Sequence, residues 1–133
     1  MAKEAPTVSV VIDDSGSAAR TISNDITGMS WSLPRAVQDV TGVDKAAVER
    51  LLLLADHSAT FDGVFNDATN MSHAVFKTVG SSSVARTITL VMSGQTLAGE
   101  HFITDYPLTR ASSGELTFSV STVLADGTAP TWS

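Results

Sequence analysis

The sequence predicts a mainly β fold, a sandwich- or barrel-like arrangement of short strands with one or two short helices packed on it. Two patterns predict it. Apolar and polar residues alternate along most of the chain, and the alternating stretches are short and bounded by turn-forming residues. Length supplies the third observation: 133 residues is the size of one ordinary domain, which buries about two-thirds of the surface of its unfolded chain. A single domain over residues 1–133 is expected, with mobile ends at 1–6 and 128–133.

The clearest strand covers 115–124, where Leu116, Phe118, Val120 and Leu124 share one face and Glu115, Thr117, Ser119 and Ser121 the other. Residues 84–92 place Val84, Ile88, Leu90 and Met92 opposite Thr87 and Thr89. Further strands are expected over 7–13, 18–23, 26–33, 57–65 and 97–110, which makes seven in all. Turn chemistry separates them at Asp13-Asp14-Ser15-Gly16, Ser93-Gly94, Ser112-Ser113-Gly114 and Asp126-Gly127. Met29, Trp31 and Leu33 share a face until Pro34, lacking an N–H, ends the ladder. Asp62-Gly63 is a hairpin signal, yet Ala59, Phe61 and Phe65 keep one parity through it, so a glycine bulge or close contact inside one strand is expected.

Two segments change period. In 41–55, Ala47, Val48, Leu51, Leu52 and Ala55 recur at helical spacing behind a Thr41–Asp44 pair that resembles a capping box, predicting a helix of about three turns. In 71–79, Asn70 can cap, Val75, Phe76 and Val79 form a narrow stripe, and Gly80 suits the stop.

Composition narrows the function. The net charge is −6, from 14 acidic and 8 basic residues, and the basic residues lie singly between Lys3 and Arg110. Gripping phosphates requires a basic patch, so nucleic-acid binding is not expected. With no cysteine, disulfides and thiolate metal sites are excluded. The N-terminus carries no apolar stretch typical of a secretory signal, and the longest apolar run, Leu51 to Ala55, is far short of the roughly 20 residues of a membrane helix, so membrane insertion is not expected.

Catalytic chemistry is sparse. His57, His73 and His101 stand in no metal-ligand spacing and read as surface or partly buried side chains. Asp13 and Asp14 read as hairpin-turn residues before they read as half a cation site. No phosphate loop and no nucleophile elbow is present, so no catalytic residue, cofactor or metal is expected. Trp31 and Trp132 are able to stack on a sugar, although an aromatic on an alternating strand is more often core and one at a chain end a lid.

An ordered series of segments resembles the tail-tube, or major tail, proteins of phages with long flexible tails. It runs through Ser32-Leu33-Pro34-Arg35, Asp39-Val40-Thr41-Gly42-Val43-Asp44-Lys45-Ala46-Ala47-Val48-Glu49-Arg50-Leu51-Leu52 and Ala59-Thr60-Phe61-Asp62-Gly63-Val64-Phe65-Asn66. It continues through Ser72-His73-Ala74-Val75-Phe76, Tyr106-Pro107-Leu108-Thr109-Arg110 and Gly114-Glu115-Leu116-Thr117-Phe118-Ser119-Val120 to Asp126-Gly127-Thr128-Ala129-Pro130-Thr131-Trp132. The resemblance implies a tail-tube-like fold and homohexameric rings stacked into a conduit for DNA ejection. It also implies tape-measure, tail-tip and terminator partners, a place in the virion tail, and the host cytoplasm during assembly. Some family members carry a C-terminal immunoglobulin-like module, whereas this sequence stops at Ser133.

Under that reading viral DNA passes without specific binding, and an acidic wall suits a polyanion's passage. Candidate lumen-facing acids are Asp13, Asp14, Asp25, Asp39, Asp62 and Asp67; a wall of Arg20, Arg35 and Arg50 would contradict it. Candidate contacts between subunits are Pro34, Arg35, Val37, Val40 and Val43, in the stretch from Pro34 to Asp44 that reads as irregular, together with Ser81 and Ser82. The alternatives are a β-sandwich module binding glycan or protein, and a related tube protein of a secretion or gene-transfer particle. An enzyme with dispersed residues has the histidines and the Asp13-Asp14 pair behind it.

Overall fold

The computed structural model describes residues 5–133, so most of the expected mobile N-terminal end lies outside the described residues. The fold is antiparallel β. In chain order come β1 (Val8–Asp13), β2 (Ala19–Thr21), a 3-10 turn at Ser23–Asp25, β3 (Ile26–Ser32), β4 (Arg35–Asp39), β5 (Arg50–Ala55) and β6 (Ser58–Val64). Then follow α1 (Ser72–Phe76), β7 (Arg86–Met92), β8 (Gln95–Ile103), β9 (Leu108–Arg110) and β10 (Leu116–Leu124).

Eight strands make one sheet in the order β2-β1-β7-β8-β10-β6-β3, with β9 added on β10, while β4 and β5 pair apart as a hairpin. Alternation decides which face is buried: Val10 and Ile12 of β1, Phe61 of β6, Ile88 and Leu90 of β7, and Phe118 and Val120 of β10 meet in one cluster with Val75 and Phe76 of α1. Strands from both ends of the sheet share that cluster, so the sheet curls over its own inner face. Each fully buried aliphatic or aromatic side chain there contributes about 1.5–3 kcal/mol. Trp31 and Met29 pack against the rim of this core, as the alternation in β3 predicts.

Gly63 explains the Asp62-Gly63 pair. The strand β6 runs straight through it, and the register slips in its partner β3 between Ile26 and Gly28. A Cβ on Gly63 would come within 2.4 Å of the Asp25 carbonyl oxygen and 2.5 Å of Phe118 Cζ. Close approach, not a turn, selects the glycine.

Three expectations need correction. The helix predicted over 41–55 is absent: Gly42 to Glu49 form an irregular loop, and Arg50–Ala55 is strand β5, paired with a β4 that the sequence reading left irregular. The Leu51–Ala55 run fits helix and strand alike, and cross-strand bonds settle it. Thr41 caps nothing; its hydroxyl accepts the Glu49 N–H at 2.7 Å across the hairpin mouth. The strand expected over 97–110 breaks into β8 and β9 around Pro107, which has no N–H to donate, and Tyr106 turns inward onto Phe76 and Phe118. The second helix is shorter than expected, and Asn70 sits at φ 64° without capping it.

Residues 128–133, expected as a mobile end, run beside β8, where Ser133 exchanges two backbone hydrogen bonds with Thr96 at 2.8 and 2.9 Å. No helix among the described residues is long and apolar enough to cross a membrane. Gly63→Ala is expected to lower stability by about 2–3 kcal/mol, because backbone and a ring must both move. Urea denaturation checks it, and an unchanged midpoint would refute the close-approach account.

Candidate functional site

The feature that calls for a partner is the β4–β5 hairpin. Its strands pair Arg35 with Ala55, Val37 with Leu52, Gln38 with Leu51 and Asp39 with Arg50. Opposed residues of an antiparallel pair share a face, so Val37, Leu52 and Leu54 lie on one side and Leu51 and Leu53 on the other. Neither side is covered. Leu54 is 92% exposed, and Val37, Val40, Val43, Val48, Leu51 and Leu52 are exposed as well. The two strands pack chiefly on each other, and not on the large sheet. An isolated two-stranded hairpin is marginal in water, and an apolar one with open edges is a surface for association.

What orders the hairpin is local polar bonding. The Arg35 guanidinium reaches across to the Leu53 carbonyl at 2.8 Å and the Leu52 carbonyl at 3.3 Å. At the tip, Asp39 accepts from the Thr41 N–H at 2.9 Å and from its hydroxyl at 2.6 Å, which holds the Asp39 carboxyl below the usual range. At the root, the Asp56 N–H donates to the Pro34 carbonyl at 3.0 Å.

Among the predicted contact residues, Pro34, Arg35, Val37, Val40 and Val43 all fall on this hairpin and are exposed. Ser81 and Ser82 lie elsewhere, in the turn after α1, where both N–H groups donate to the Thr78 carbonyl. The predicted lumen acids are scattered. Asp39 is at the hairpin tip, and Asp62 and Asp67 are exposed on β6 and the loop after it. Asp13 and Asp14 form the β1–β2 turn. There Asp14 accepts from the Gly16 and Ala18 N–H groups and pairs with Arg20 at 3.1 Å, and the bond from Ala18 leads in lowering its pKa.

Asp25 leaves that set. It is buried, and its carboxylate accepts from Asn66 Nδ2 at 2.9 Å and from the Ser72 N–H at 3.0 Å, so it caps α1 from 47 residues away in the chain. At the other end of α1 stands Arg86, also buried, which donates to the Val75 carbonyl and, at 3.0 Å, to Thr78 Oγ1. Acid at the N-terminus and base at the C-terminus both oppose the helix dipole. The sequence reading passed over Arg86; the available signal was a lone charge on the inward parity of Val84, Ile88 and Leu90.

The histidines divide. His73 is half-buried beside Phe65 and Tyr106. His57 and His101, read as surface or partly buried, are 2% and 0% exposed and joined ring to ring at 2.7 Å, which corrects that reading. Both occupy inward parities, His57 with Ala59 and Phe61, His101 with Leu97. Trp132 bridges to Leu97 at the chain end. No group of three or more metal-ligating side chains is brought together among the described residues.

No family model and no curated protein matches the sequence. Solved structures do. A chain of the tail of an empty gene transfer agent particle with C6 symmetry aligns at TM-score 0.74 and 20% identity, covering 99% of both chains. The fold is that of a gene transfer agent tail chain. A chain of the native gene transfer agent virion aligns at TM-score 0.73 and 18% identity over 93% of this chain and 95% of its own. The tail-tube-like, mainly β fold expected from the sequence is therefore present, and these identities speak to fold.

Asp25→Ala is expected to cost about 3 kcal/mol, by stranding the Asn66 and Ser72 donors. Arg86→Lys is expected to cost about 1–2 kcal/mol, since an ammonium cannot reproduce the planar fork. Chemical denaturation measures both, and loss from neither would refute the clamp on α1.

Proposed function

We propose that this chain is a non-enzymatic structural subunit of a phage-like tail tube, assembling as stacked hexameric rings in the virion tail. The observation that carries the reading is the exposed apolar β4–β5 hairpin on a fold that matches, end to end, a chain of a C6-symmetric tail. A closed ring covers such surfaces without open-ended growth, because a symmetric contact that closes leaves no free end within the ring. The subunit is made in the host cytoplasm. Its other partners are the tape-measure, tail-tip and terminator proteins that set the length and ends of a tube.

The net charge of −6 supports a conduit that viral DNA traverses without being held. Asp13, Asp14, Asp39, Asp62 and Asp67 remain the acids assigned to the lumen, and Asp25 does not, since its carboxylate is used inside the subunit. The two solved neighbours favour one second reading, the same tube role in a gene transfer particle. Both readings share one geometry and differ in what is packaged.

Electron microscopy of the purified chain, alone and with tail-initiation components, is expected to show hollow tubes; monomers under every condition would overturn the proposal. Leu52→Asp is expected to abolish tubes and leave the far-ultraviolet circular dichroism unchanged, because the side chain is half exposed in the subunit. In a map of the tube, an inner wall lined by Arg20, Arg35 and Arg50 would refute the acidic lumen.

A further inference from the structure

The His57–His101 pair lies where the hairpin joins the sheet. His57 follows Asp56, whose N–H closes the hairpin on Pro34, and precedes β6; His101 sits in β8 and pairs across to Leu124 of β10. The hydrogen bonds fix where the protons are. His101 Nδ1 is 3.0 Å from the Gly99 carbonyl, which can only accept, so Nδ1 carries the hydrogen and Nε2 is bare in the neutral ring. His57 Nδ1 then donates to that Nε2 at 2.7 Å, leaving His57 Nε2 as a bare nitrogen that is buried with no hydrogen-bond partner.

An added proton has one outcome. The contact between the rings holds a single hydrogen, and His101 Nδ1 already has one. Whichever ring carries the charge, the extra hydrogen must therefore appear on His57 Nε2. A donor and a positive charge then stand in a buried place with nothing to accept them. The charged groups facing the pair are Asp56 from the hairpin root, Glu100 from β8, Asp126 beyond β10 and, opposite His101 on β7, the buried Arg86; Asp56 and Asp126 are exposed. Relief comes from moving His57 toward water or toward Asp56, and either movement strains the root.

The geometry points to a proton-operated latch: the neutral His57–His101 pair seats the root of the β4–β5 hairpin, and one proton entering the pair unseats it. Burial is the main cause holding both imidazoles below their ordinary value of 6.5, with the neighbouring His101 adding to the effect at His57. The sign follows. The unfolded or unseated chain takes up protons that the seated pair refuses, so the seated state is favoured above the ordinary histidine value and lost as pH falls below it. With two histidines the loss reaches up to about a hundredfold per pH unit. The bearing of the latch on assembly rests on the tube reading; the latch itself does not.

The test uses the unassembled full chain. Histidine ring resonances and backbone amide exchange, corrected for the intrinsic pH dependence of exchange, are followed from about pH 7.5 to about pH 5. His57 and His101 are expected to titrate together and below the ordinary histidine value of 6.5. In step with them, protection at the Asp56 and His57 amides should fall at least about tenfold, while β1 and β7 hold. The double variant His57→Phe, His101→Leu is expected to lose this acid response, and His73→Gln to keep it. Root amides that ignore the titration of the pair, or either histidine titrating at an ordinary value, would overturn the latch. Should the double variant not fold, the wild-type comparison decides. Tubes that ignore pH while the root loosens would leave the latch standing and count against the hairpin as the contact.

Discussion

A five-residue helix cannot hold itself in water, because forming its first turn fixes several dihedral angles for each hydrogen bond gained. In this protein α1 persists because two buried side chains from other elements, the 3-10 turn and β7, grip its ends, Asp25 at the Ser72 N–H and Arg86 at the Val75 carbonyl. That grip places Val75 and Phe76 in the core, where Phe76 meets Tyr106 and Phe118. Without the helix the curled sheet would lack the side chains that fill its concave face. The same carboxylate holds Asn66, and the carbonyl of the same residue stands against Gly63. Helix position, strand register and core filling therefore depend on one local arrangement.

The β4–β5 hairpin is built on the opposite logic. Among the described residues the body of the protein satisfies its buried side-chain polar groups, His57 Nε2 apart, and buries its own apolar face, whereas the hairpin orders its polar groups and leaves its apolar side chains open. Arg35, Asp39 and Thr41 order it, but Leu51, Leu52 and Leu54 face solvent. An element ordered in advance loses less entropy on docking than a disordered arm would, so its apolar area is available for association.

Much of this was legible from residue order, and the failures have physical causes. Strict alternation located β1, β3, β6, β7 and β10, and parity alone put Gly63 inside a strand. The run Leu51-Leu52-Leu53-Leu54 carries no alternation, so helix and strand fit it equally; the deciding bonds come from Val37 and Gln38, which are far away in sequence. The candidate surface was legible in part: Val37, Val40 and Val43 were singled out on the stretch that forms β4 and the tip, but β5 was hidden under a helical reading. Asp25 capping α1 and His57 meeting His101 are contacts between remote residues, and a single sequence offers only their inward parity as a hint.

The chain end has a quieter consequence. β10 pairs with β8 only from His101 to Ile103, which leaves the earlier half of β8 with a free side. Trp132 and Ser133 lie along that side, bonded to Leu97 and Thr96. An uncovered stretch of strand accepts any chain that presents complementary amides, in whatever orientation it arrives. Here Trp132 and Ser133 occupy that position themselves, so the exposed apolar hairpin is not joined by a second open strand edge at this place.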